Sequence, residues 1–245
     1  DQNQQLTETL IEENQNEKRR LDFVSGMSHE LKTPLAIIQA SAEAIQNNIF
    51  DNDADENDAL NSIQHEVTKT NNMIKSMMNV YQLDTPNYEQ EWKIENINTI
   101  LQSVNTSLKL LYENSNLNVV IKSVDAFVNC NKDRIETVIV NLFNNAIKYT
   151  PEGNIIEINL YNKNKYVVFE IINHGTTIDE ANMNKLFDPF YRIDKARSRS
   201  EGSSGLGLYI VSESLKQYNT KCNVESTDNF VKFSFKLKKV INPED

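Results

Sequence analysis

Residues 23–35 read FVSGMSHELKTPL, with His29 beside Glu30 and one helical turn before Thr33. Apolar residues recur at steps of three and four through this stretch and beyond it, which predicts one face of a long helix. His29 lies off that face, so we expect its imidazole to face solvent or a docking partner. The residues of the face are Val24, Met27, Leu31, Leu35, Ile38, Ala42, Ile45 and Ile49.

Pro34 should bend this helix just after the histidine. Proline has no N–H to donate to the carbonyl of Glu30, and its ring crowds that turn. We therefore expect a strained, solvent-facing turn to carry His29. The alternative from these residues alone is a surface histidine on an ordinary coiled-coil helix.

A second apolar pattern follows an acidic, Asn-rich connection, NNIFDNDADEN, at residues 47–57. Its heptad spacing predicts a second helix, and two helices joined by a short loop form an antiparallel hairpin. The apolar surface left uncovered predicts pairing with a second copy in a four-helix bundle. His65 is interpreted as a solvated residue off the heptad positions, which are Leu60, Ile63, Val67, Thr70, Ile74, Met77 and Tyr81.

The composition narrows the class of protein. The 245 residues carry a formal charge of −10, which argues against a nucleic-acid surface because such a surface needs clustered Lys and Arg. Two cysteines, Cys130 and Cys222, are too few for a disulfide scaffold and favour a reducing cytosol. No apolar run approaches the roughly 20 residues of a membrane span. Because the chain begins at Asp1, we expect a fragment whose anchor or sensor lies upstream.

Beyond Pro86 the heptads give way to mixed elements, so the helical part should end there. The pattern predicts an α+β fold with helices on one face of a mixed sheet. A hairpin turn is expected at residues 162–164. The predicted helices are 97–114, 132–149, 179–187 and 205–218, and the predicted strands are 117–122, 126–130, 155–161, 166–172, 221–226 and 230–237.

Two stretches in this second part suggest a nucleotide site. In NLFNNAIKYT, Asn141 and Asn145 are one turn apart, so their amide oxygens share a helix face and suit Mg²⁺, while Lys148 can meet phosphate. In GSSGLGL, residues 202–208, glycines precede a helix start, where backbone N–H groups bind anions. The alternatives are a polar helix face and an ordinary Gly-rich turn.

The quoted stretches resemble the motifs of one family. Residues 23–35 resemble the H box of sensor histidine kinases, NLFNNAIKYTPEG their N box, FDPFYRIDKARSRS their F box and ATP lid, and GSSGLGL their G2 box. The resemblance covers about Glu17 to Leu237. It implies a bacterial two-component kinase with a HisKA dimerisation and phosphotransfer domain, a dimeric four-helix bundle, followed by a HATPase_c α/β-sandwich of the Bergerat (GHKL) type.

The resemblance also implies roles for particular residues. His29 would be the phosphoacceptor, Glu30 would orient and deprotonate its imidazole, and Thr33 would position the water that attacks a phosphorylated partner. Asn141 and Asn145 would hold magnesium, and basic residues of the lid, Lys195, Arg197 and Arg199 with Arg192, would close over the triphosphate. The implied ATP-binding residues are Asn141, Asn145, Lys148, Tyr149, Asn173, Gly175, Arg192, Gly202, Gly205, Leu206 and Gly207.

The sequence departs from the family at its first glycine-rich turn. The G1 box reads Asp-x-Gly-x-Gly, with the aspartate bonding the adenine amino group, whereas residues 173–177 read NHGTT. A neutral amide in place of a carboxylate should cost about 1 kcal/mol, nearly tenfold in affinity. Thr177 should add strain if its φ is positive, and Asn229, in the region of the G3 box, should adopt a positive φ. Ser203 replaces a G2 glycine, and His174 is interpreted as a solvated loop residue.

The sequence therefore predicts a kinase that phosphorylates itself on His29 from Mg-ATP and passes the phosphoryl group to an aspartate of a response regulator, with phosphatase activity as well. The expected partners are a second copy of the chain and a receiver domain, and no nucleic acid is expected. The chain should be the cytoplasmic part of an anchored bacterial protein, which would contact the membrane only through an upstream segment. The alternatives are a phosphatase-biased regulator and an ATPase or chaperone of the same nucleotide fold. The predicted division is linker 1–16, phosphotransfer domain 17–84, linker 85–91, ATP-binding domain 92–240 and tail 241–245.

Overall fold

The computed structural model describes residues 2–50, 52–84, 91–193 and 204–241. The chain divides into two compact units. One contains the chain up to Met78, and the other runs from Asn79 to Ile193 and resumes at Gly205. In the described parts of the chain, no helix is long and apolar enough to cross a bilayer.

The helical unit contains α1 (Gln2–Gln46) and α2 (Asp53–Asp84) as far as Met78, and the last residues of α2 fall in the second unit. α1 continues through Pro34, which is buried and does not interrupt the helix. The bend expected at that position stays a prediction.

The connection between the two helices is shorter than the sequence suggested. α2 begins at Asp53 rather than after residue 57, because Asn52 Oδ1 accepts the backbone N–H of Asp55 at 2.9 Å and caps the helix. Asp53, Asp55 and Glu56 fill the first turn, where negative charge stabilises the positive end of the helix dipole. The prediction of a loop through the acidic run was therefore wrong.

The buried face of α2 is offset by one residue from most of the predicted heptad positions. Its buried residues include Ala59, Glu66, Met73, Met77 and Val80. Of the predicted heptad residues, Met77 is buried, whereas Leu60, Val67 and Ile74 are exposed. The helix is thus apolar on two adjacent faces, and one of them is left open to solvent in the single chain.

The second unit, the α/β unit, contains a five-stranded sheet with the order β2-β4-β5-β7-β6. β2 and β4 are parallel, and the other neighbours are antiparallel. β1, which the sequence did not predict, pairs antiparallel with β3 in a separate two-stranded sheet. The strands are β1 (Lys93–Asn96), β2 (Asn118–Ser123), β3 (Phe127–Cys130), β4 (Ile155–Lys163), β5 (Tyr166–His174), β6 (Asn223–Ser226) and β7 (Phe230–Lys238).

Helices cover one face of the five-stranded sheet, as predicted. α4 packs against α3 and α6 and contacts β5. Alternate residues of β4, β5 and β7 are buried in the core. The fold class is therefore confirmed as α+β. The helices are α3 (Ile97–Asn114), α4 (Lys132–Tyr149), α5 (Glu180–Met183) and α6 (Gly207–Lys216).

Several boundaries differ from the sequence prediction, and for three elements the reason is a left-handed backbone position or a missing cap. α6 begins at Gly207 because Gly205 has φ 69° and cannot be helical, and Asn219 with φ 51° follows its end. β4 extends to Lys163, and Asn164 with φ 53° makes the hairpin turn. α5 is a single turn, and Asp179 makes no side-chain cap at its start.

Candidate functional site

The helical unit presents the predicted phosphoacceptor to solvent. His29 and Thr33 are exposed on α1, and Glu30 between them is half-buried. The Ser28 hydroxyl donates to the Val24 carbonyl at 3.1 Å, so it is turned back onto its own helix. The expected solvent-facing position of His29 is present, which leaves the imidazole accessible to a phosphoryl donor or a docking protein.

In the α/β unit, Asn141 brings together two sequence motifs, because it lies against Gly207, 66 positions further along the chain. Its Nδ2 donates to the Thr137 carbonyl at 2.8 Å, so Oδ1 is the end available to a ligand. A Cβ added to Gly207 would lie 3.0 Å from that oxygen. The Asn141 amide oxygen therefore lies against the first residue of α6, and glycine at that position leaves room beside it.

The rest of the α4 face continues toward its C-terminus. Asn145 and Lys148 are half-buried, and Tyr149 is exposed with the Lys148 ammonium 5.5 Å from its ring centroid. No group of three or more His, Cys, Asp or Glu residues in the described ranges could hold a metal. The amide oxygens of Asn141 and Asn145 nevertheless fit Mg²⁺, which takes few protein ligands and completes its shell with phosphate and water.

Asn173, which replaces the family's aspartate, ends the buried face of β5. It is 2% exposed, and its Nδ2 donates to the Ala146 carbonyl of α4 at 3.2 Å. The amide oxygen is therefore turned away from Ala146. Gly175 follows with φ 75°, and a Cβ there would lie 2.7 Å from the end of the Asn154 side chain, so a larger residue would be strained and would displace Asn154.

The positive φ expected at Asn229 is absent, so that prediction was wrong. Thr177 has no positive φ either, so the condition under which it would add strain is not met. Thr177 Oγ1 instead lies 3.3 Å from Ser226 Oγ, which accepts the Ile178 N–H at 2.8 Å. The turn is anchored on β6 through Ser226, and the position of the family's second glycine accommodates a β-branched residue without left-handed strain.

His174 is the last residue of β5 rather than a loop residue, and it points to the opposite face of the sheet from Asn173. Its Nε2 lies 3.7 Å from Glu157 Oε2. A hydrogen bond from Lys122, above all, lowers the pKa of that carboxyl. His174 therefore belongs to a polar cluster outside the face that carries Asn173.

The second glycine-rich turn is held by backbone contacts to the F box. Gly205 has φ 69°, and a Cβ there would lie 2.9 Å from the backbone of Phe190, whose N–H donates to the Gly205 carbonyl at 3.1 Å. Phe190 itself has φ 62°, which is unusual for a non-glycine residue. Two residues later, Arg192 is half-buried. Gly202, Ser203, Lys195, Arg197 and Arg199 lie outside the described residues.

Leu206 precedes α6 and is fully buried. Its side chain has no acceptor, so it does not cap α6, and the N-terminus of a helix is the end that attracts anions. The start of α6, Asn141, Gly205 and Gly207 thus form the candidate phosphate end of the site.

Sequence reasoning missed Thr150. It is the C-cap of α4, is 6% exposed, and its backbone N–H donates to the Ala146 carbonyl at 3.0 Å. That is the carbonyl that also accepts from Asn173. The signal in the sequence was a hydroxyl residue directly before Pro151, where the helix must end.

Comparisons with known proteins agree with this arrangement. A family model of the His Kinase A (phospho-acceptor) domain matches residues 19–86, and one of the histidine kinase-, DNA gyrase B-, and HSP90-like ATPase matches residues 130–241. The signal transduction histidine-protein kinase ArlS of Staphylococcus haemolyticus is 33% identical over 220 residues, 89% of this chain and 48% of that protein. ArlS of Staphylococcus aureus strain USA300 is 31% identical over 219 residues, which are again 89% of this chain and 48% of that protein. The chain spans about half the length of these curated relatives.

Solved structures give the same result for the fold. The histidine kinase AdeS of Acinetobacter baumannii has a TM-score of 0.71 at 20% identity, covering 86% of this chain and 97% of its own. The catalytic domain of the histidine kinase ThkA has a TM-score of 0.55 at 27% identity, covering 61% and 96%. ThkA in complex with the response regulator protein TrrA has a TM-score of 0.72 at 21% identity, covering 95% and 67%. With a phospho-acceptor domain followed by a kinase-type ATPase domain, the chain belongs to the bacterial two-component sensor histidine kinases.

Proposed function

We propose that this chain phosphorylates itself on His29 from Mg-ATP and transfers the phosphoryl group to an aspartate of a response regulator. One observation carries the proposal. The exposed His29 lies within the matched phospho-acceptor region, and the same chain places the Asn141 amide oxygen against the glycine that starts α6. The first group can accept a phosphoryl group, and the second set can hold the donor.

The chemical step is a displacement at the γ-phosphorus of ATP. A ring nitrogen of His29 forms a bond to that phosphorus, the bond to the β,γ-bridging oxygen breaks, and ADP leaves with the electron pair. Glu30 takes the proton from the other ring nitrogen. In the second step, a carboxylate oxygen of the regulator attacks the phosphorus, the phosphorus–nitrogen bond breaks with its electron pair going to the ring nitrogen, and Glu30 returns the proton to the imidazole. Catalysis of this kind depends mainly on positioning and charge neutralisation.

The α/β unit supplies the groups that would hold ATP. Asn141 and Asn145 would bind Mg²⁺ through their amide oxygens, and the bound ion would neutralise phosphate charge. The N–H groups at the start of α6 would receive phosphate oxygens, with Lys148 and Arg192 as further cations. Asn173 would meet the adenine, and Tyr149, Gly175, Gly202, Gly205 and Leu206 would line the site.

Phosphate transfer tests the proposal directly. The purified chain is incubated with γ-labelled ATP and Mg²⁺, alongside His29→Gln, Asn145→Ala and a control, His65→Gln, which removes another exposed histidine from the helical unit. We expect label on the parent and on the control, and none on the first two variants. Label that persists on His29→Gln would place the phosphoacceptor elsewhere.

The proposal includes a homodimer formed by the helical unit. Leu60, Val67 and Ile74 are 47%, 43% and 42% exposed and repeat every seven residues along α2. Leu21 and Leu35, fourteen residues apart on α1, are 65% and 54% exposed, and Ile49 just beyond the end of α1 is 65% exposed. Such apolar stripes are unfavourable in water, and a second hairpin would cover them in a four-helix bundle.

The response regulator and a phosphatase activity complete the proposal. The complex of ThkA with its response regulator supports a receiver domain as partner. Thr33 is exposed one turn from His29, where it could position the water that hydrolyses the regulator's phosphoaspartate. Thr33→Ala should slow loss of label from a phosphorylated receiver domain while self-phosphorylation continues. Equal rates with and without Thr33 would remove it from the mechanism.

A phosphatase-biased regulator is the second candidate, and the neutral Asn173 in the G1 turn favours it. Absence of label on the parent, with ATP binding measurable by calorimetry, would support that candidate. The membrane anchor expected upstream stays a prediction.

A further inference from the structure

Phe190 adopts a backbone conformation that non-glycine residues rarely adopt. Its φ is 62°, in the left-handed region where a bulky side chain is strained. Such strain persists only where the surrounding structure holds it, and it is concentrated at functional sites. The contacts that hold Phe190 are therefore informative about the function of this segment.

On one side, Phe190 is held by the turn before α6. Its backbone N–H donates to the Gly205 carbonyl at 3.1 Å. The two backbones are so close that a Cβ on Gly205 would lie 2.9 Å from the Cα of Phe190. The strained residue is thus fixed against the candidate phosphate end of the site.

On the other side, the segment is held by the side chain of the next residue, Tyr191. Its ring packs against the hydrophobic core, and its hydroxyl donates to Oδ1 of Asn182 at 2.7 Å. The backbone N–H of Tyr191 also donates to the Asp188 carbonyl at 3.2 Å. The hydroxyl therefore connects this segment to α5, which carries Asn182.

α5 is itself anchored to the sheet. It is a single turn without a side-chain cap at Asp179. Just before it, the Ile178 N–H donates to Ser226 Oγ of β6 at 2.8 Å, and the Ile178 side chain packs against the core. A continuous series of contacts thus runs from β6 through Asn182 to Tyr191.

Arg192 follows directly after these two held residues. It is half-buried, and in the proposed function it is a cation for the phosphates of ATP. A guanidinium on a fixed backbone loses less conformational freedom when it binds phosphate, and a small displacement of such a group slows a reaction strongly. The position of Arg192 therefore depends on Tyr191, and the position of Tyr191 depends on Asn182.

We infer that Asn182 is a positioning residue, which acts through the Tyr191 hydroxyl to hold Arg192 against the phosphate that ATP transfers. The inference rests on the proposed kinase activity. It assigns part of that activity to an amide on α5, outside the stretches that resemble the family's motifs.

Self-phosphorylation rates test the inference. The full chain is incubated with saturating γ-labelled ATP and Mg²⁺, and initial rates of labelling are compared. Asn182→Ala should be about 10- to 100-fold slower than the parent, since misplacing a positioned group has effects of this size. Asn182→Asp should label like the parent, because a carboxylate also accepts from the phenol. Asn184→Ala, at an exposed asparagine two residues further on, is the matched control and should label like the parent.

A double variant distinguishes the proposed hydrogen bond from two separate effects. Tyr191→Phe removes the same hydrogen bond from the other side and should slow labelling as much as Asn182→Ala does. Combining the two substitutions should give no further decrease, because each removes the one shared interaction.

Nucleotide binding gives a readout that does not depend on transfer. In the His29→Gln chain, Asn182→Ala should weaken Mg-ATP about three- to tenfold in calorimetry and leave Mg-ADP unchanged, because ADP lacks the phosphate that Arg192 meets. When Arg192→Ala is already present, Asn182→Ala should not weaken Mg-ATP further. A merely structural role for Asn182 would weaken both nucleotides and would persist without Arg192.

The inference would be overturned by a parental labelling rate in Asn182→Ala, by slow labelling in Asn182→Asp, by additive losses in the double variant, or by equal weakening of Mg-ATP and Mg-ADP. Absence of label on the parent would instead overturn the proposed kinase activity. The calorimetric comparison of ATP with ADP would then still decide whether Asn182 acts through Arg192.

Discussion

The helical unit exposes its proposed functional side chains, whereas the α/β unit buries several of its own. His29 and Thr33 are open to solvent on α1, while Asn173, Thr150 and Leu206 are each less than one-tenth exposed. An exposed histidine can meet both a nucleotide and a protein partner. Buried groups bind more selectively, because hydrogen bonds are stronger and unpaired groups more unfavourable away from water. Substitutions in the helical unit should therefore change reactions, and those in the α/β unit should also change stability.

The largest effect on stability is expected at Gly205, because the turn of the candidate phosphate site is held there by the backbone of Phe190. Gly205→Ala should lower the free energy of unfolding of the α/β unit by about 2–4 kcal/mol, from left-handed strain and from a Cβ clash with the Phe190 backbone. Urea unfolding can be followed by the fluorescence of Trp92, the sole tryptophan, whose ring centroid lies 5.0 Å from that of Tyr218 in this unit.

Gly153→Ala is the matched control for that prediction. Gly153 has φ 78°, but a Cβ there would meet nothing within 4 Å. It should lose only the strain contribution, about 1–2 kcal/mol. Equal losses at the two glycines would show that contact with Phe190 contributes nothing to the stability of the turn.

The next prediction concerns the exposed stripe of the helical unit. Val67→Glu should weaken self-association at least tenfold, because burying valine side chains contributes about 1.5 kcal/mol or more each. Sedimentation equilibrium measures it. Val124→Glu, at a valine of similar exposure in the α/β unit, is the control and should leave association unchanged. A loss of helicity in Val67→Glu, without any change in association, would instead make this stripe part of the single-chain core.

A smaller effect is expected at Gly207, where the added methyl group would meet a side chain rather than backbone. Its Cβ would lie 3.0 Å from Asn141 Oδ1, and Gly207 has no positive φ. Gly207→Ala should therefore leave unfolding nearly unchanged and weaken Mg-ATP binding about three- to tenfold, by displacing the amide oxygen. Unchanged ATP affinity in calorimetry would separate Asn141 from the nucleotide site.

Much of the fold could be predicted because its signals are local. The bounds of α3 and α4 follow from apolar periodicity, with Asn96 and Asn131 capping their starts. β1 was missed because its sequence, KIEN, is short and is a strand only because it pairs with β3, which lies far along the chain. The offset on α2 was missed for a related reason: Leu60 and Ala59 are both apolar, and only packing decides which of the two adjacent faces is buried.

The residue types of the candidate site could be predicted from the sequence, but the backbone conformation of its turns could not. Asn141 and Gly207 carry the motifs, and the structure brings them together. Thr150 has no motif, because its significance depends on sharing one carbonyl with Asn173, a contact between residues 23 positions apart in sequence. The φ of Thr177 depends on the hydrogen bonds around Ser226, which the sequence of the turn does not reveal.

The smallest effect is expected at Thr177 itself, where the family has glycine. Since Thr177 has no left-handed φ to relieve, Thr177→Gly should not stabilise the α/β unit, and the added freedom of the unfolded chain should lower its stability by about 0.5–1 kcal/mol. Ser226→Ala should have a comparable effect, because the Ile178 N–H loses its acceptor. Both are measured by the Trp92 unfolding transition. If Thr177→Gly raised the transition midpoint, Thr177 would be strained in the native turn. Its contact with β6 would then not account for the stability of the turn.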